Sequence, residues 1–147
     1  MATTGLEVFD TTVQRTNIWL KAIMEEIGSE DRHLAYLALR ATLHALRDRL
    51  PPEAAVHLGA QLPMLLRGLY YEGWHPAGTP DRERRVEDFL DHVRGELPPD
   101  LAEEAEGLVT ASLGVLASQV DRGEALKVIR MLPAPLRALW PADLGDG

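Results

Sequence analysis

The chain has no cysteine, which removes disulfides, thiolate nucleophiles and thiolate metal sites together. It also lacks a long apolar run. The longest mostly apolar stretch, Leu108 to Ala117, is interrupted by Thr110 and Ser112 and falls far short of the ~20 residues that span a bilayer. Met1 to Phe9 has no basic region followed by an apolar core, as a signal peptide requires, so a cytoplasmic location is expected, and the absent cysteines suit a reducing compartment. The only basic cluster, Arg82 with Arg84 and Arg85, is interleaved with Asp81, Glu83 and Glu87. With a formal net charge of −8, this disfavours nucleic acid and anionic lipid, both of which need clustered lysine and arginine. Gly-x-Ser-x-Gly and phosphate-cradling glycine loops are missing. No sustained alternation of apolar and polar residues marks a strand.

What is present is helical spacing and an internal repeat. A shift of 70 residues lays Thr16–Tyr70 on Val86–Trp140 without a gap, with 12 identities over 55 positions. Among them are Leu20 on Leu90, Glu26 on Glu96, Ala35 on Ala105, Leu43 on Leu113, Leu62-Pro63 on Leu132-Pro133 and Arg67 on Arg137. Self-similarity at a fixed period indicates repeated supersecondary units. The expected architecture is an all-α single domain over 1–147: a compact helical bundle of two four-helix repeats related by a pseudo-twofold. Repeat one covers about 9–71, a linker about 72–79, repeat two about 80–141, and a frayed tail 142–147.

Within repeat one, a helix starting near Asp10 carries Trp19, Ile23 and Ile27 on one stripe and ends at Gly28. Ser29 is the expected N-cap of the next helix, with Glu30 and Asp31 in its first turn. That helix runs to about Leu50 along Ala35, Leu39, Leu43, Leu46 and Leu50, and the same steps return as Ala105, Val109, Leu113, Leu116 and Val120. Pro51-Pro52 and Pro63 open two shorter helices, copied in repeat two up to Pro141. Thr79 followed by Pro80 reads as the N-cap and first turn of the helix that carries Phe89, Leu90 and Val93.

Arg49-Leu50-Pro51-Pro52-Glu53-Ala54-Ala55, Ala60-Gln61-Leu62-Pro63 and Leu65-Leu66-Arg67-Gly68-Leu69-Tyr70-Tyr71-Glu72-Gly73-Trp74, with Phe89-Leu90-Asp91-His92-Val93 and Gly123-Glu124-Ala125 later on, closely resemble a widespread bacterial family catalogued as a domain of unknown function, number 2267. The likeness runs from about Phe9 to Pro141. It implies an all-helical bacterial cytosolic protein with a globin-like helix arrangement. It brings no established catalytic or ligand-binding residues with it.

Candidate ligand-binding residues are Arg67, Tyr71, Trp74, His75 and Arg137. Arg67 and Arg137 hold the same place in both repeats: either they bind anions near the pseudo-axis, or they bond helix-end carbonyls, a multidentate task that suits arginine. Tyr71, Trp74 and His75 sit in a loop rich in aromatics, where they either line a pocket for a planar or cationic ligand or, with Tyr70, plug the end of repeat one. Glu30–His33 and Glu72–His75 both match Glu-x-x-His, the di-iron bundle spacing, but one lies at a helix start and the other in a loop. Asp48 with His44 and Asp88 with His92 share helix faces and are expected to be surface ion pairs. No catalytic residue, metal ligand or cofactor is assigned. The expected role is a non-enzymatic protein-interaction module, with a protein partner or a homodimer. The alternative is a small-molecule or metal-binding protein that uses the crevice between repeats, and a third reading takes His75 or His92 as an acid or base beside a carboxylate.

Overall fold

Gly28 adopts φ 77°, a left-handed conformation that glycine enters without steric cost, and there the first helix stops. The computed structural model describes residues 4–145. Helix α1 spans Glu7–Ile27 and starts earlier than its apolar stripe suggests, because Asp10 Oδ1 accepts hydrogen bonds from the Thr4 amide (2.7 Å) and hydroxyl (2.9 Å). Helix α2, Arg32–Arg49, is capped by Asp31, whose carboxylate accepts from the amides of His33 and Leu34. Ser29 was the expected cap. It lies too far from the helix, and its Oγ instead accepts from the Asp31 amide at 3.0 Å.

Helices α3 (Pro52–Gly59) and α4 (Met64–Tyr71) follow the two proline signals. No side chain at the start of α4 caps it; Thr12 of α1 does so from a distance, its hydroxyl accepting from the Leu65 amide at 2.8 Å. The second half holds α5 (Val86–Arg94), α6 (Ala105–Gln119), α7 (Arg122–Met131) and α8 (Ala134–Arg137). Residues Pro99–Glu104 form a 3-10 turn leading into α6.

Both predicted stripes are buried at every position, from Ala35 to Leu50 and from Ala105 to Val120. Helix α2 sits centrally, packed against α1, α4, α5 and α6, and α6 also packs against α1. One continuous apolar cluster joins both halves, from Trp19 and Ile23 through Phe89 and Leu113 to Trp140. No strand forms among the described residues, and no helix among them is long and apolar enough to cross a membrane.

Two expectations fail. Residues 80–85 are not helical; α5 begins only at Val86. The Thr79 hydroxyl donates back to the Pro76 carbonyl (2.8 Å) instead of capping a helix. The following segment is drawn across the end of α2, where the Asp81 amide donates to the Asp48 carbonyl (2.7 Å) and Arg49 Nε donates to the Glu83 carbonyl. These tertiary bonds outcompete a local proline start. The tail also differs from a frayed end: Ala142–Gly145 forms a short helix, α9, packed on α7 with Leu144 buried, while 146–147 lie outside the described residues.

Candidate functional site

Helices α2 and α5 meet along a partly exposed polar seam at the edge of the apolar core. On α2, His44 and Asp48 stand four residues apart; on α5 and just beyond its end, His92 and Glu96 do the same. The pairing crosses between helices. His44 Nδ1 lies 2.8 Å from Glu96 Oε1, and His92 Nε2 lies 3.3 Å from Asp48 Oδ2. The same-helix pairs expected from sequence do not form: Asp88 pairs with Arg85, and Asp48 takes Arg47 and His92.

The first half of the seam is a closed network. The His44 ring, only 3% exposed, also faces the Leu69 carbonyl through Nε2 at 2.7 Å. Arg40 donates to Glu96 (2.7 Å) and to Glu72 (3.1 Å). Burial alone pushes the Glu96 carboxyl up, but the hydrogen bond from His44 and the charge of Arg40 outweigh it and hold the group below its usual range. A carboxylate depressed on folding stabilises the fold above its unfolded pKa of roughly 4.3, and that contribution is lost as pH falls through the folded value. Thermal melts from pH 7 down to pH 2.5 are therefore expected to show a steep acid-side loss in the native chain. Glu96→Gln should melt lower at pH 7 and show a shallower acid slope; equal slopes would rule out this source.

The second half of the seam gathers three carboxylates around one imidazole. The Asp48 carboxylate comes from the end of α2, those of Asp81 and Glu83 from the segment preceding α5, and His92 from α5 itself. His92 Nδ1 lies 2.9 Å from Glu83 Oε2 and 3.3 Å from Asp81 Oδ2. The hydrogen bond to Asp48, reinforced by Glu83 and opposed by burial, raises the His92 ring to about 9, so it is an imidazolium at neutral pH. Burial raises Asp81 and Glu83. It acts in the same direction on Asp48, but His92 and Arg47 outweigh it and Asp48 is lowered. A ring nitrogen of His92 and oxygens of Asp48 and Asp81 lie within 4.8 Å of one another, a grouping that sequence reasoning missed. Part of its signal was present: His44 and His92 are each followed four residues later by an acid, Asp48 and Glu96.

Of the residues singled out from sequence, Tyr71 and Trp74 are brought together, while Arg67 and Arg137 are each taken up by nearby backbone carbonyls. Arg67 Nε and Nη2 donate to the carbonyls of Gly59 (3.1 Å) and Leu62 (3.0 Å). Arg137 Nε and Nη2 donate to those of Leu132 (3.1 Å) and Arg130 (3.2 Å). Both guanidiniums thus close the end of the preceding helix. Tyr71 is half-buried against α3, where a Cβ on Gly59 would stand 2.3 Å from its hydroxyl, and Trp74 packs on it with ring centroids 5.3 Å apart. His75 is exposed, its Nδ1 2.9 Å from the Gly73 carbonyl. Neither Glu-x-x-His pair converges: Glu72 is taken by Arg40, and His33 stacks on Tyr36.

A cleft of about 830 Å³ lies elsewhere, between the end of α1, α6 and Trp140. Farther toward the start of α1, a groove of about 250 Å³ is lined by Val13, Thr16, Asn17, Leu20, Tyr36, Leu65, Leu66 and Leu69.

The model of one protein family, described as Uncharacterized conserved protein (DUF2267), matches residues 16–143. No curated protein matches the chain.

Proposed function

The chain belongs to the DUF2267 family, and we propose that it acts without catalysis, by contact with another protein chain, a second copy of itself being the first partner to test. The observation that carries this reading is the apolar face of α1 and α4. Phe9 and Val13, one turn apart on α1, are 45% and 41% exposed, and Leu65 on α4 is 48% exposed, with Met64 and Tyr36 beside the same helices. Single exposed apolar residues are ordinary, whereas a grouped set rimming a groove marks an interaction surface. Thr12 ties α4 to α1 beneath it, so the face is presented on a fixed frame.

Leu65→Asp places a charge in the groove without disturbing buried residues, and its effect on stability is expected to stay within about 0.5 kcal/mol. Light scattering should show a dimer for the native chain and a monomer for Leu65→Asp. A native chain that stays monomeric and retains no protein from native lysate would overturn the reading.

The alternative, a small-molecule binder in the crevice between halves, draws support from the cleft beside Trp140, which none of Arg67, Tyr71, Trp74, His75 and Arg137 lines. The duplicated burial of the α2 and α6 stripes supports descent of α1–α4 and α5–α8 from one module, related by a pseudo-twofold.

A further inference from the structure

We propose that Asp48, Asp81 and His92, with Glu83 beside them, form a binding site for a divalent transition-metal cation of the Zn²⁺ type. The first argument is a mismatch between donors and acceptors. The His92 ring has two nitrogens, yet three carboxylates face it: Asp48 stands at Nε2, and Asp81 and Glu83 share Nδ1. Glu83 leaves its other oxygen open: Oε1 is shielded from solvent and has no hydrogen-bond partner, although the side chain as a whole is 22% exposed. An orphaned carboxylate oxygen costs free energy, and the charge of a cation held beside it offsets part of that cost.

The ligand atoms of Asp48, Asp81 and His92 already lie within 4.8 Å of one another. Bonds of roughly 2.0–2.2 Å to a central cation require only a short inward movement. One ring nitrogen takes the cation and releases its proton to solvent. The other keeps its N–H for the remaining carboxylate, the arrangement that orients metal-bound histidines in general. Arg47 Nε donates to Asp48 Oδ1 at 2.8 Å, which fixes that carboxylate from behind and leaves Oδ2 facing His92. An imidazole with carboxylates, and no sulfur, selects zinc, iron or manganese over the softer ions. The site shares no residue with the apolar face of α1 and α4, so either assignment can fail without the other.

The test is calorimetric titration of the tag-free full chain with Zn²⁺ after dialysis against chelator. One equivalent is expected to bind. Asp81→Asn, a change at a partly exposed position, is expected to weaken binding at least about tenfold. His57→Ala, on the exposed face of α3, should leave it unchanged. Nitrogen NMR of the native chain supplies a readout that needs no variant: Zn²⁺ should shift the His92 ring resonances. The absence of saturable heat, or binding that Asp81→Asn leaves intact, would overturn the proposal, as would a His92 ring that Zn²⁺ does not move.

Discussion

Residues 1–75 expressed alone are expected to give no cooperative thermal melt. Those residues hold α1 to α4, but α1 and α2 bury apolar faces against α6, α2 packs on α5, and α3 packs on α7. The fragment would expose those faces to water at about 25 cal/mol per Å², in a chain whose size already buries only about 60% of its unfolded surface. The polar cost adds to the apolar one. His44 would lose Glu96, and Asp48 would lose both His92 and the Asp81 amide. Circular dichroism on heating is the measurement. A monomeric fragment with a sharp transition would show that one half carries a self-sufficient core.

Arg47→Ala is expected to cost about 3–5 kcal/mol, the range for removing one partner from a buried ionic network. Arg47 is only 4% exposed. Its Nη1 donates to the carbonyls of Tyr70 and Glu72, both at 2.8 Å, and its Nε to Asp48. One guanidinium therefore closes the end of α4 and holds an acid of the α2–α5 seam. Removing it strands two carbonyls and leaves the Asp48 carboxylate to His92 alone. Arg47→Lys should recover only part of the loss, because an ammonium cannot reach in a planar fork. Urea denaturation measures both. A loss below about 1 kcal/mol for the alanine variant would show that water substitutes for the side chain.

The helices were legible because burial on one side imposes a period that composition alone does not disguise. Leu39, Leu43 and Leu46 return as Val109, Leu113 and Leu116, and all are buried. Gly28 and the Pro51 and Pro63 breaks were equally readable, since each acts on its own backbone. Signals that depend on distant groups were not. Thr79-Pro80 carries the local marks of a helix start, but bonds to Asp48 and Arg49 hold the next residues out of a helix. His44 and His92 each have an acid four residues away on the same helix, yet choose the acid on the facing helix. That choice depends on antiparallel register, which no single helix records. The distant cap that Thr12 supplies to α4 was invisible for the same reason.

Most of the chain's basic residues are arginine, and four of them share a structural use. Arg49, Arg67, Arg94 and Arg137 each aim Nε at a backbone carbonyl. The equal placement of Arg67 and Arg137 in the two halves was readable from sequence; the carbonyls they reach were not, because those sit at ends of helices whose packing had to be seen.

The crossing of residues 80–85 over the end of α2 fixes how far the two halves can drift apart in sequence. Asp81 is pinned to Asp48, and α5 opens at Val86, so the tether between those points is metered residue by residue. The stretch from Gly73 to Pro80 has no such gauge. Length variation among related chains should therefore accumulate ahead of Asp81 and stop there.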